Sequence, residues 1–159
     1  MNQSYLIGID IGTSACKVAL FDRSGCVLAA ANGDYPVYYP KEGWAEQNPE
    51  EWWSAVCGAV RQVIEEASVA PEEIAGVGID GQSWSAIAID RNGHVLTNTP
   101  IWMDTRAQSI CDRLNEEIGA EAIFEVAGNS LQPSYATAKI LWYKENLPEV
   151  YAKIDKILQ

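Results

Sequence analysis

Apolar and polar positions come in short blocks over the first third of the chain. Tyr5-Leu6-Ile7-Gly8-Ile9 is an apolar run that leads to Asp10 and Ile11. After the turn Gly12-Thr13-Ser14, a second run over residues 15–21 carries Lys17 near its start. Short runs of this kind, rich in β-branched residues, predict strand, turn, strand. Ser24-Gly25 marks another turn and residues 26–31 a third strand, so three successive antiparallel strands are expected at the N-terminus. Residues 34–48, broken by Pro36, Pro40 and Gly43, predict a loop. Its aromatics, Tyr35, Tyr38, Tyr39 and Trp44, either cover a site or pack against the sheet.

The period then changes to helical. Asn48-Pro49-Glu50-Glu51 is a helix start, with a capping residue, a first-turn proline and acids at the positive dipole end. Trp53, Val56, Cys57, Val60, Ile64 and Ala67 recur at helical spacing and predict its buried face. Strands are expected over residues 74–79, ending at Asp80-Gly81-Gln82, and over residues 85–89. Residues 96–102 predict an extended segment interrupted by Pro100. Asp104 or Thr105 then caps a helix with the stripe Ala107, Ile110, Cys111, Leu114 and Ile118, ended by Gly119. A short helix over 121–127 stops at Gly128-Asn129. A further helix turns Ala138, Leu141 and Trp142 inward, and residues 156–159 look like the start of a strand.

Composition narrows the function classes. The 159 residues suffice for one domain with a sizeable core, and 48% hydrophobic against 21% charged residues is a globular balance. Lys and Arg number 11 against 22 Asp and Glu, a net charge of -11, which disfavours nucleic-acid and anionic-membrane surfaces. Cys16, Cys26, Cys57 and Cys111 lack metal-ligand spacing and sit in apolar patterns, so buried free thiols are expected. No apolar run approaches membrane-spanning length and no signal-peptide pattern opens the chain, so a cytoplasmic location is expected. The single histidine, His94, follows a turn and reads as a solvated loop residue.

The first turn has chemistry of its own. Gly12 lets a backbone approach a ligand closely, and Thr13 and Ser14 add hydroxyl and amide donors suited to phosphate oxygens. Asp10, near the end of a strand, offers a carboxylate to Mg²⁺, and Lys17 a point charge to a phosphate. The alternative is an ordinary hairpin with a polar turn.

Five segments in this order resemble the N-terminal domain of the FGGY carbohydrate kinases, and within them the xylulokinase subgroup. They are Gly8-Ile9-Asp10-Ile11-Gly12-Thr13-Ser14 with Lys17; Gly43-Trp44-Ala45-Glu46-Gln47-Asn48-Pro49; Gly78-Ile79-Asp80-Gly81-Gln82; Pro100-Ile101-Trp102-Met103-Asp104-Thr105-Arg106; and Ala138-Lys139-Ile140-Leu141-Trp142. The resemblance covers nearly the whole chain, residues 1–159. It implies an α/β fold, ribonuclease-H-like as in the actin/hexokinase/Hsp70 superfamily, with a mixed sheet and flanking helices. It also implies ATP-dependent phosphorylation of a sugar hydroxyl, with ATP, Mg²⁺ and the sugar as ligands. By that likeness Asp10 is catalytic and helps hold Mg²⁺, while Gly12, Thr13, Ser14 and Lys17 approach the phosphates. Gln82 and the dipeptide after it, Ser83-Trp84, are implied on the sugar side together with Trp102, Asp104 and Tyr135.

The chain departs from the family pattern in places. Xylulokinases usually carry Met-His where Ser83-Trp84 stands. Asp104 has a second reading as a helix cap, and Asp80 occupies a position where many relatives have a small residue. The family's general base is a second Asp that no stretch here matches. The chain is therefore expected to be the first third of a kinase lacking its C-terminal ATP-binding domain, inactive alone and prone to self-association, a homodimer included. A ketopentose such as xylulose is the expected sugar. Gluconate, ribulose or glycerol is the alternative within the family, and a non-catalytic actin- or Hsp70-like nucleotide-binding module the alternative outside it.

Overall fold

A computed structural model describes residues 4–159. The chain divides into two compact units, one of residues 1–37 and 50–82 and the other of residues 38–49 and 83–159.

The first unit is built on a four-stranded mixed sheet. Strands β1 (Tyr5–Ile11), β2 (Ala15–Phe21) and β3 (Val27–Asp34) form the expected antiparallel meander. Strand β5 (Ile74–Gly81) adds in parallel to β1, giving the order β3-β2-β1-β5. Period-two alternation sets the faces: Ile7, Ile9, Cys16, Val18, Leu20, Ala29 and Ala31 are all buried. Helix α1 (Pro49–Ala67) belongs to this unit from Glu50 onward and starts where its sequence signals place it, with Glu50 and Glu51 in the first turn.

The inward stripe of α1 is Trp52, Val56, Ala59 and Val63, one residue out of phase with the expected one, and Trp53 is 67% exposed. Either of two adjacent tryptophans satisfies a 3.6-residue period. The tertiary partner decides: the Tyr35 ring centroid lies 6.4 Å from that of Trp52. The helix also packs very closely on β3. A Cβ on Gly33 would stand 2.9 Å from both the Cβ and the carbonyl oxygen of Ala55, so only glycine fits there without a shift.

The second unit is mostly helical. Strand β4 (Glu46–Gln47) pairs with β7 (Thr99–Pro100), and β6 (Ile87–Ile89) with β8 (Lys156–Leu158), both antiparallel. The extended segment expected over 96–102 thus shrinks to two paired residues, since Pro100 has no N–H with which to prolong a ladder. The start of a strand expected at 156–159 is present as β8. Helix α2 (Gln108–Leu114) runs into a wide π turn at Asn115–Gly119, then α3 (Ala120–Ala127). Gly119 interrupts the run at φ +93°, and Gly128, at φ +70°, closes α3 in the left-handed conformation. Helix α4 (Ala136–Asn146) and the single-turn α5 (Pro148–Tyr151) complete the unit. Its core joins Ala86 and Ala88 to Ile110, Cys111, Ala138, Trp142 and Tyr143, and the Tyr143 hydroxyl donates to the Ala86 carbonyl at 2.9 Å.

Neither Asp104 nor Thr105 caps α2. The residue before it is Ala107, with no side-chain cap. Thr105 instead donates to the Gly43 carbonyl from both its amide and its hydroxyl. All four cysteines are free; Cys16 and Cys111 are buried as expected, but Cys26 is exposed because it sits in the Asp22–Cys26 turn. Among the described residues, no helix is long and apolar enough to cross a membrane.

Candidate functional site

In the first unit, the face of the sheet opposite Ile7 and Ile9 carries a polar row at one level. Asp10 is the register partner of Lys17 on β2 and of Asp80 on β5, and Lys17 is the partner of Asn32 on β3. Directly paired residues point to the same face, so two carboxylates, an ammonium and an amide lie side by side. All four are exposed. Gly8, Ala19, Ala30 and Gly78 keep the surface next to this row low, forming a groove.

The turn that follows Asp10 is held from several sides. The Gly12 amide donates to the Ala15 carbonyl at 3.0 Å, and a Cβ on Gly12 would come within 3.1 Å of that oxygen. The Gly12 carbonyl accepts from the Tyr35 hydroxyl at 2.6 Å and from Gln82 Nε2 at 3.5 Å. The Gln82 amide donates to the Ile11 carbonyl, and the Tyr35 amide to that of Ser14. Burial, with the Cys16 and Asp10 charges adding, holds the Tyr35 phenol above its ordinary value, so it remains a donor. The sequence leaves Tyr35 either covering a site or packing against the sheet; its place beside the turn depends on the return of β3 and is not legible from spacing. Asp10 and Asp80 supply hard oxygen donors of the kind Mg²⁺ prefers, beside a backbone turn that admits phosphate oxygens. The residues present therefore fit that ion.

The second unit gathers the aromatic candidates. Trp84 and Trp102 are each 44% exposed, and the Trp84 ring lies 5.0 Å from that of Tyr135 at a tilt of 53°. Ser83 beside them is also exposed. Trp84 adopts φ +67°, a left-handed backbone that side-chain-bearing residues rarely take. Its carbonyl and that of Ile101 both accept from Lys139 Nζ at 2.8 Å. Lys139 is fully buried. Burial pulls its ammonium down to about 8, the nearby Asp104 charge opposes this and Arg106 reinforces it.

Asp104 has a different employment from the one expected of it. It is 0% exposed, and its carboxylate accepts from the Ala45 amide at 2.7 Å, the Arg106 amide at 2.9 Å and Arg106 Nε at 2.9 Å. Arg106 Nη2 adds contacts of 2.8 Å to Asp104 and 2.7 Å to Glu46. The guanidinium lies 3.8 Å from the Trp44 ring centroid and 5.0 Å from that of Trp142. Both carboxylate oxygens of Asp104 are thus engaged within the chain. The signal for Lys139 is a charge at a buried helical phase, three and four residues before the inward Trp142 and Tyr143; no spacing marks Arg106.

Comparison with known proteins places these features in context. Residues 5–159 match the N-terminal domain of the FGGY family of carbohydrate kinases. A xylulose kinase from Bacillus subtilis is 34% identical over 149 residues, covering 94% of this chain and 30% of the relative. A glycerol kinase from Leifsonia xyli is 33% identical over 153 residues, covering 96% of this chain and 30% of the relative. The crystal structure of a xyloylose kinase from Brucella ovis superposes with a TM-score of 0.88 at 30% identity, covering 98% of this chain and 31% of that one. The chain thus spans about a third of the length of such relatives, and its fold is the α/β, ribonuclease-H-like fold of these sugar kinases.

Proposed function

The chain belongs to the FGGY family of carbohydrate kinases, and we propose that within its full-length protein it carries the phosphate-side and sugar-side residues for ATP-dependent phosphorylation of a ketopentose. The observation that carries this reading is the row of Lys17, Asp10 and Asp80 beside a turn pinned at both the Ile11 and Gly12 carbonyls. Phosphoryl transfer depends on in-line positioning and on neutralising charge on the transferred oxygens, with little covalent work for the protein. Asp10 holds Mg²⁺ in this reading, and the bound ion supplies charge neutralisation at the phosphate oxygens. Lys17 adds a positive charge on the same face. Gly12, Thr13 and Ser14 give the phosphate a close backbone and hydroxyl donors, and Tyr35 and Gln82 keep that turn from drifting.

The sugar side rests on Ser83, Trp84, Trp102 and Tyr135. Flat aromatic faces suit the C–H surface of a linear ketose, while the Ser83 hydroxyl, the indole N–H groups and the phenol supply a few directional bonds. Asp104 contributes from behind, by fixing Arg106 and the Ala45 backbone. A glycerol-type polyol is the second reading, favoured by the glycerol kinase likeness; so much aromatic area is more than glycerol needs. The test is sugar-dependent ATP consumption by the full-length protein with D-xylulose, D-ribulose, gluconate and glycerol. Highest kcat/KM on a ketopentose supports the proposal, preference for glycerol or gluconate transfers it to the second class, and no turnover on any of them overturns it.

A further inference from the structure

One buried side chain reaches two of the aromatic segments of the sugar side. Lys139 Nζ donates to the Trp84 carbonyl and to the carbonyl of Ile101, the residue before Trp102, both at 2.8 Å. We propose that Lys139 is a positioning residue whose ammonium sets the pose of Trp84 and Trp102 by holding the backbone at Trp84 and at Ile101, next to Trp102. The inference rests on the sugar-kinase reading only for its consequence, since the geometry concerns this chain alone.

The physical case begins at Trp84. A tryptophan at φ +67° is strained, and such a conformation persists only where its surroundings over-determine it. The Lys139 ammonium is the restraint seen on the Trp84 carbonyl, and a charge-assisted bond of this kind is about twice as strong as a neutral one. An apolar side chain in the same place would leave two carbonyls without this donor, while an ammonium with three donors serves both. The charges around Lys139 act in both directions: Asp104 favours its ammonium and Arg106 opposes it. Asp104 and Arg106 face it from the loop after Trp102, and Glu46 balances Arg106 in turn. Tyr143, one turn further along α4, and Cys111 of α2 both have values pushed up by burial and stay neutral. Lys139 is therefore the group among these whose charge changes just above neutrality, near pH 8. Its deprotonation weakens the hold on both tryptophan segments.

The experiment uses full-length protein labelled with 5-fluorotryptophan, as wild type and as Lys139→Met. The expected result is that the ¹⁹F resonances of Trp84 and Trp102 shift in Lys139→Met while those of Trp52 and Trp53 in the first unit do not. KM for D-xylulose should rise about tenfold or more with KM for ATP unchanged. If Lys139→Met folds and both resonances stay in place, the proposal is overturned. If the variant does not fold, the wild-type resonances decide. Movement of Trp84 and Trp102 across a midpoint near pH 8 supports the proposal, and invariance overturns it. Should the wild type phosphorylate none of the sugars tested, the kinase reading fails, but the fluorine spectra still decide the role of Lys139.

Discussion

Asp10 and Asp80 are register partners on adjacent parallel strands, so their carboxylates stand side by side on one face of the sheet. Like charges in direct cross-strand register repel, and Lys17 on the other side of Asp10 offsets the repulsion only in part. Asp80→Ser should therefore stabilise the chain by about 0.2–1 kcal/mol in urea unfolding at low salt. The gain should shrink as salt is added, because both groups are exposed to screening. An unchanged or lowered unfolding midpoint would show that the two charges are already compensated.

Asp10→Asn keeps the shape of that position and removes its charge. In the full-length protein kcat should fall by about a hundredfold or more, the scale of losing one group that stabilises transition-state charge. KM for the sugar should change little, since the role proposed for Asp10 is on the phosphate side. Near wild-type kcat in this variant would remove Asp10 from the mechanism.

The buried Arg106 should be the least replaceable residue of the second unit. Its guanidinium side chain is 3% exposed, joins Asp104 and Glu46 and lies over Trp44. Arg106→Lys keeps the charge but cannot reproduce the planar fork or the stack. Breaking a buried ion pair costs about 3–5 kcal/mol because it strands the remaining charges. Arg106→Met, which strands Asp104 and Glu46, should lose about that much, and Arg106→Lys a smaller part of it, each read as a lowered chemical-denaturation midpoint with an unchanged slope. A loss no larger than that of an exposed ion pair would mean that water or a rearranged Lys satisfies Asp104.

Much of this was legible in the sequence, for identifiable reasons. The β1–β2 turn and the start of α1 depend on neighbours in the chain, and Gly12, Pro49 and Glu50 announce them locally. The face of α1 depends on a partner distant in sequence, which is why Trp52 rather than Trp53 points inward next to Tyr35. From the sequence, Asp104 reads as a sugar-side residue or a helix cap. Its engagement comes from Ala45, 59 residues away, and from Arg106 folding back onto it. Lys139 stands within the Ala138–Trp142 stretch of α4, and periodicity argues for apolar residues at such buried positions without indicating what a buried donor there would hold.

Tyr143 gives the fold an alkaline limit. Burial holds its phenol above the ordinary value near 10, so the neutral form is kept when folded. A group whose pKa is raised by folding contributes stability that is present below its unfolded pKa and lost as pH rises beyond it. Wild-type stability should therefore decline above about pH 10, and the decline should be shallower in Tyr143→Phe. At neutral pH the same variant should be about 1–2 kcal/mol less stable, because the buried Ala86 carbonyl loses its donor. Parallel stability curves for the two proteins across the alkaline range would rule out this assignment.

Trp84 combines a proposed sugar contact with an unfavourable backbone, and two substitutions separate these features. Trp84→Ala and Trp84→Gly both remove the ring that faces Tyr135. Each should lower kcat/KM for the best sugar by roughly tenfold, or about 1.4 kcal/mol, the scale of a lost aromatic contact. Their stabilities should differ. At φ +67° an alanine keeps the left-handed penalty of about 1–2 kcal/mol, which glycine avoids. Glycine in turn loses about 0.4–1 kcal/mol through the greater freedom of the unfolded chain. The balance leaves Trp84→Gly the more stable of the pair by roughly 0.5–1 kcal/mol. If Trp84→Ala were instead the more stable, residue 84 would not be held in the left-handed conformation in solution, and the restraint assigned to Lys139 would have nothing to restrain. If the stabilities differ as expected but kcat/KM is unchanged in both, the backbone argument stands and the sugar binds away from Trp84.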